Sequence, residues 1–272
     1  MMNYLDLFRL NGKVAIVTGA GGILGSHFAA GLASAGAKVA LLDLTTGVVG
    51  QAERVAGRYD TECVGLVCDI TQPEEVQRAV AEVTAELGGV HVLHNNAAWK
   101  SADLDAFFAP FEEFDIDTWR QVMSVNIDGM FLMAQAVSKQ MIRQGSGGSI
   151  IQTASIYGIV APDQRIYEGS SYLNMPINTP AVYSASKASV VGLSRYLAAY
   201  LAKYAIRVNT LTPGGVESGQ NDTFKEKYSN RVPLARMAEP EEMVGALLYL
   251  ASDASSYVTG QNIVVDGGLS AW

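Results

Sequence analysis

The chain has 272 residues, of which 49% are hydrophobic and 17% charged, and 27 acidic against 19 basic residues give a formal net charge of -8. That length and apolar content supply one domain with a sizeable core. The acid excess, with no Lys/Arg run, argues against nucleic acid and against an anionic membrane surface as partners.

The N-terminal MMNYLDLFRLNG places Asp6 and Arg9 where a signal peptide would need an apolar stretch, and no run of 18 apolar residues follows anywhere. A cytoplasmic protein without a membrane span is the expectation. Short apolar, β-branched runs then recur along the chain: KVAIVT (13–18), KVALLD (38–43), CVGLVCD (63–69), VHVLHN (90–95), SIIQTAS (149–155), IRVNTLT (206–212) and NIVVD (262–266). They are continuous rather than alternating, as expected of strands covered on both faces. Cys63 and Cys68 fall on or beside one such strand on opposite sides, so they read as reduced thiols, and two Cys with three His show no metal-ligand spacing.

Helical patterns lie between the runs. Residues 25–36 end on Gly36, 72–89 open with Pro73 and two Glu and end on Gly, and 117–145 form one long helix with Asp117 as N-cap. Residues 181–205 and 239–252 complete the set. Strand alternating with helix from end to end predicts a single α/β domain over 1–272, a doubly wound Rossmann fold with a seven-stranded parallel sheet. Two irregular stretches, 161–180 and 213–237, are long enough to be functional.

VTGAGGILGSH (17–27) joins the first strand to the first helix. Gly19, Gly21, Gly22 and Gly25 suit a tight turn that brings backbone close to a pyrophosphate, which then sits on the helix start at Ile23 and Leu24. Asp43 ends the second strand 18 residues after Gly25, followed by Leu44 and Thr45 with no Arg nearby. An acid there accepts the adenosine-ribose hydroxyls and repels a 2′-phosphate, which favours NAD over NADP; the plain alternative is a solvated Asp at a strand end.

TGAGGILG, CDIT (68–71), NNAA (95–98), VNIDG (125–129), TASIYG (153–158), YSASK (183–187), TPGGVESG (212–219) and DASSYVTGQNIVVDGG (253–268) occur in that order. Together they resemble the short-chain dehydrogenases/reductases over roughly 10 to 270. The resemblance implies that Asp69 and Ile70 flank the adenine, that Asn96, Ala97 and Ala98 line the nicotinamide-ribose side, and that Pro213, Gly214, Val216 and Ser218 meet the carboxamide. Three positions depart from the family pattern: Ile23, Ala98 and Ser218 stand where Gly, Gly and Thr are usual.

Tyr183 and Lys187 are four apart on a predicted helix and share a face. A nearby ammonium lowers the pKa of a phenol, so Tyr183 can move a proton to or from a substrate oxygen. By resemblance Ser155 donates a hydrogen bond to that oxygen, Lys187 also holds the nicotinamide ribose, and Asn126 props a relay water.

Relatives separate the catalytic Ser and Tyr by little more than a dozen residues; here the separation is 28. The insertion, about 163–179, carries Asp163, Gln164, Arg165, Tyr167, Glu168, Tyr172, Asn174 and Asn178, which suit hydroxylated substrates. Asp163, Arg165, Tyr167 and Glu168, with Trp99 after NNAA, are the substrate candidates; a solvated loop or a subunit contact is the alternative. Residues 214–237 match the family's mobile lid.

These features lead to an NAD-dependent oxidoreductase of a polar sugar, sugar acid or nucleotide-sugar, with a narrower likeness to bacterial surface-sugar (nonulosonic acid-type) oxidoreductases. A 3-oxoacyl carrier-protein reductase and a silent NAD-binding regulator are the alternatives. The family habit of pairing two long helices, and Trp272 in an apolar tail, predict a homotetramer.

Overall fold

The computed structural model describes residues 3–172 and 175–272. Its centre is a seven-stranded parallel sheet in the order β3-β2-β1-β4-β5-β8-β9. The strands are β1 Val14–Thr18, β2 Lys38–Asp43, β3 Cys63–Val67, β4 Val92–Asn95, β5 Gly148–Thr153, β8 Ile206–Pro213 and β9 Asn262–Val265. β1 pairs on one side with β2 and on the other with β4, and strand order reverses there. The predicted strands are all present.

The strands lack period-two alternation because both faces are covered. On one face, α1 (Ile23–Ser34), α2 (Gly47–Tyr59) and α9 (Val244–Ala251) bury Phe28, Leu32, Val48, Val55, Leu247 and Leu250. On the other, α3 (Pro73–Leu87), α6 (Met130–Gln144) and α7 (Ala181–Leu201) bury Val76, Val80, Val83, Met133, Val137, Met141 and Leu201. Shorter helices α4 (Leu104–Phe107), α5 (Ile116–Met123) and α8 (Asp222–Ser229) lie in the connections.

Three expectations are corrected. The sequence reading contained no helix between β2 and β3, yet α2 fills that crossover; its apolar positions Val48, Ala52 and Val55 are spaced for one face, but Gly47, Gly50 and Gly57 dilute the pattern. The single helix over 117–145 is instead α5 and α6 joined by a wide π turn at Ser124–Gly129. Its N-cap is Asp115, whose carboxylate accepts the Thr118 N–H at 2.7 Å, and Asp117 lies inside the first turn.

The described residues of the insertion carry some regular structure. They form a 3₁₀ turn at Gln164–Tyr167 and a small antiparallel pair, β6 (Ser171–Tyr172) and β7 (Met175–Pro176). Asn174 lies outside the described residues, as does the side chain of Tyr172. No described helix is long and apolar enough to cross a membrane, and Cys63 and Cys68 are free thiols.

Candidate active site

Open parallel sheets bind ligands beyond the carboxyl ends of their strands where the order reverses, here after β1 and β4. Gly19 turns the chain out of β1 with φ +64, and a Cβ there would stand 2.8 Å from Ala97 Cα. A Cβ on Gly25 would stand 2.0 Å from the Gly19 carbonyl oxygen, so only Gly lets α1 pack on the turn. Thr18 Oγ1 accepts the N–H groups of Asn96 at 3.0 Å and Ala97 at 3.1 Å and pins the loop after β4 to the turn after β1. Gly22 caps α1 without a side-chain bond, leaving the N–H groups at Ile23 and Leu24 directed out of the helix start. Such a terminus is suited to a phosphate.

Asp43 ends β2 beside this turn. Its carboxylate accepts from Gly21 N at 2.9 Å, Thr45 N at 3.0 Å and Thr45 Oγ1 at 2.9 Å, so it is held in one orientation. Leu44 is exposed just beyond it. Asp69 is tied down by Thr71, through its N–H and hydroxyl, while Ile70 packs where a Cβ on Gly129 would sit.

Across the crevice, a cleft of about 570 Å³ has Ser155, Tyr183 and Lys187 in its lining, with Leu24, Asn96, Ala98, Pro213, Gly214 and Val216 on the cofactor side. Ser155 follows β5, and its hydroxyl accepts the Tyr157 N–H at 3.3 Å. Tyr183 and Lys187 lie one turn apart on α7. The Lys187 ammonium, 3% exposed, donates to the Thr153 carbonyl at 3.1 Å and stands 6.0 Å from the centre of the Tyr183 ring. Burial pulls Lys187 down to about 8. Burial also raises Tyr183, with a hydrogen bond from Ser155 acting the other way. The expected lowering of Tyr183 by the ammonium is therefore not the dominant effect within the chain itself: desolvation of the phenol outweighs it.

Asn126 occupies the π turn and is fully buried. Its Oδ1 accepts the Trp99 N–H at 2.8 Å and its Nδ2 donates to Ser186 Oγ at 3.3 Å, so it ties the loop after β4 to the residue preceding Lys187. π turns recur at functional positions because they re-aim a side chain without ending the helix.

The substrate candidates separate. Trp99 lines the cleft. Asp163 instead grips Arg165 at 2.8 and 2.7 Å and meets Arg231 at 3.4 Å, and the Arg165 guanidinium holds its carboxyl down at about 2. Lys227 of α8 donates to the Arg165 carbonyl at 3.2 Å and the Glu168 carbonyl at 2.6 Å, with the Glu168 carboxylate 3.8 Å away. Tyr167 stacks on Phe224 with ring centres 5.4 Å apart and hydrogen-bonds Thr179. Asp163, Arg165, Tyr167 and Glu168 are thus clasped to α8 and to Arg231 just after it, and these four do not line the cleft, although the partners Phe224 and Thr179 do. The cleft walls that the sequence reading missed are Phe107, Phe108, Tyr157, Phe224 and Tyr228; single aromatics in loops carry no period that would single them out. Ser218 lies just outside, its hydroxyl accepting from Gln220 at 2.8 Å.

A family model described as enoyl-(acyl carrier protein) reductase matches residues 19–270. D-threitol dehydrogenase of Mycolicibacterium smegmatis is 35% identical, with 96% of this chain and 94% of that protein aligned. A short-chain type dehydrogenase/reductase from Mycobacterium marinum superposes with a TM-score of 0.86 at 36% identity over 100% of both chains. A gluconate 5-dehydrogenase from Burkholderia cenocepacia, in complex with NADP and tartrate, superposes at 0.87 and 33% identity, covering 99% of this chain and 100% of that one.

Proposed function

The chain belongs to the short-chain dehydrogenase/reductase family, and we propose that within this family of oxidoreductases it is an NAD-linked dehydrogenase of neutral polyols, interconverting a secondary carbinol and a ketone. The observation that carries the reading is the set of Ser155, Tyr183 and Lys187 in the lining of one cleft that also takes in Leu24 at the start of α1, the helix that follows the glycine turn. Similarity to D-threitol dehydrogenase supports the polyol class, while similarity to gluconate 5-dehydrogenase supports only the broader class of hydroxylated substrates. Neither relative extends the narrower likeness to nonulosonic acid or nucleotide-sugar enzymes.

The residues fit a dinucleotide. Gly19 to Leu24 cradle the pyrophosphate, and the fixed carboxylate of Asp43 accepts ribose hydroxyls while repelling a 2′-phosphate. Bound nicotinamide supplies the hydride acceptor or donor. Ser155 holds the substrate oxygen by donating its hydroxyl proton. Tyr183 removes the carbinol proton, which requires the phenolate form; because burial raises the phenol, oxidation accelerates as pH rises from 6 to 9. Lys187 keeps a donor at the foot of the cleft, anchored on Thr153. The Asn126 side chain fixes the Trp99 loop against α7.

The test is NAD reduction across a panel of C4–C6 alditols. Activity on several of them, lost at least a thousandfold in Tyr183→Phe while NADH still binds, supports the reading; an active Tyr183→Phe or no alditol turnover refutes it. The apolar aromatic walls favour a second reading, reduction of the 3-keto group of a carrier-bound acyl chain, and faster turnover of acetoacetyl thioester with NADPH would establish it.

A further inference from the structure

Between β8 and α8 the chain makes a short loop, and Pro213, Gly214, Gly215, Val216 and Gln220 from it line the catalytic cleft. The base of the loop is pinned. Glu217 N–H donates to the Ala238 carbonyl at 2.9 Å, Ala238 N–H donates to the Gly215 carbonyl at 2.9 Å, and Lys225 pairs with the Glu217 carboxylate at 2.6 Å. The tip turns at Gly219, whose φ of +87 suits a glycine, and brings the Gln220 side chain back onto Val216 and Ser218.

The Gln220 amide makes three hydrogen bonds there. Its Oε1 accepts the Ser218 N–H at 2.8 Å, and its Nε2 donates to the Val216 carbonyl at 2.9 Å and to Ser218 Oγ at 2.8 Å. The two backbone partners fix which way round the amide sits, because an N–H only donates and a carbonyl only accepts. Both Nε2 hydrogens are then spent, and Ser218 Oγ receives one of them. A hydroxyl that accepts in this way keeps its own proton to give, and Ser218 is exposed, so that a ligand can reach it. Gln220 thereby turns a rotatable hydroxyl into an oriented donor beside the cleft.

Orientation matters because of the residue that stands at 218. Thr is usual there in the family, and Ser is present here. The γ-methyl of a threonine restricts χ1, whereas a serine has all three staggered positions open. The bond from Gln220 supplies from outside the restriction that the missing methyl would supply from within. An oxygen acceptor on the ligand, such as a carboxamide carbonyl, matches a hydroxyl already engaged as an acceptor.

We propose that Gln220 is a positioning residue, which fixes the Ser218 hydroxyl as a hydrogen-bond donor to the carboxamide of a nicotinamide held on the Pro213, Gly214 and Val216 side of the cleft. It touches no reacting atom. The proposal rests on the nicotinamide-linked reading above. Its test is calorimetric affinity for NADH and for ADP-ribose, which lacks the nicotinamide, in the wild type, Gln220→Ala, Ser218→Ala, the double alanine variant, and Gln220→Ala combined with Ser218→Thr. Gln220→Ala and Ser218→Ala are each expected to weaken NADH about tenfold, as for one hydrogen bond, with ADP-ribose within about twofold of wild type. The double alanine variant is expected to lose less than about twofold more than either alone, because both changes remove the same contact. Ser218→Thr is expected to bring Gln220→Ala back to within about threefold of the wild type, since the methyl restores the χ1 restriction. That rescue separates positioning from closing the turn, because a threonine does not replace the bonds to the Val216 carbonyl and the 218 N–H. Unchanged NADH affinity in Gln220→Ala, a parallel loss of ADP-ribose, additive losses in the double alanine variant, or no rescue by threonine would overturn the role of Gln220 alone. A wild type that binds NADH no more tightly than ADP-ribose would refute the nicotinamide reading and this role with it.

Discussion

Asp43 shows how a single residue carries a functional statement. Three hydrogen bonds fix its carboxylate against the glycine turn, and a Cβ on Gly21 would stand 3.0 Å from the carboxyl carbon. Gly21→Ala must therefore push the carboxylate aside, and Asp43→Ser removes the charge that the proposed NAD preference rests on. Asp43→Ser is expected to raise KM for NAD about tenfold and to improve kcat/KM with NADP, measured by initial rates; an unchanged cofactor ratio would show that Asp43 does not select. His94 carries a different prediction. It is fully buried in β4, edge-on to Phe28, with Nε2 2.8 Å from Thr153 Oγ1. Burial lowers it from 6.5 to about 3. The fold thus holds the neutral imidazole, and its stabilisation is complete above pH 6.5 and lost progressively as pH falls toward 3. Between pH 7 and pH 5 this amounts to about 2 kcal/mol, seen as a falling Tm that flattens in His94→Gln. Ser155, Tyr183 and Lys187 were legible because their chemistry fixes residue types at a strand end and on one helix face. The structural roles of Asp163 and Glu168 were not, because Asp163, besides its neighbour Arg165, meets Arg231 and Glu168 meets Lys227, partners some 60 residues away that only folding brings together.

Between elements, that partnership makes the insertion and α8 one mechanical unit. Lys227 bonds two insertion carbonyls, Asn221 Nδ2 donates to the Ser171 carbonyl at 2.9 Å, and Phe224 stacks between Tyr167 and Tyr228. Tyr228 in turn accepts the Gly215 N–H at the end of β8. The segment read as a substrate lid and the segment read as a substrate contact are thus clasped over one cleft. Lys227→Met is expected to raise KM for the polyol about fivefold, leaving NAD affinity and Tm near wild type, with partial recovery in Lys227→Arg; equal damage to both ligands would mean the clasp merely holds the fold. The strands were readable because two-sided burial demands continuous apolar runs. The π turn was not, since one extra residue per turn leaves the composition of 117–145 unchanged while shifting Asn126 to face Trp99 and Ser186.

For the molecule as a whole, the outer faces of α6 and α7 bear on assembly. Tyr196 and Tyr200, one turn apart on α7, are 65% and 54% exposed and stack with ring centres 5.9 Å apart; Phe131 on α6 is 45% exposed. An aromatic pair held together on the exposed face of one long helix is suited to an isologous contact, in which each copy presents the same patch and every buried ring counts twice. Burying a large apolar side chain is worth roughly 1.5–3 kcal/mol, so two tyrosines from each protomer supply a large share of what a stable pair requires. Trp272 stands apart from that face, 80% exposed with its indole N–H on the Arg231 carbonyl at 3.0 Å, and gives a second apolar position for a second two-fold axis. On this basis we propose a homotetramer, with light scattering giving four times the 28.9 kDa chain mass. Tyr196→Glu combined with Tyr200→Glu places two carboxylates against two more across the axis, and is expected to reduce the particle to dimers or monomers. The catalytic groups lie on the opposite, inward side of α7, so NADH affinity per chain should fall by less than about threefold in that variant. A double variant that stays tetrameric would move the contact to another face, and a monomeric wild type would remove it altogether.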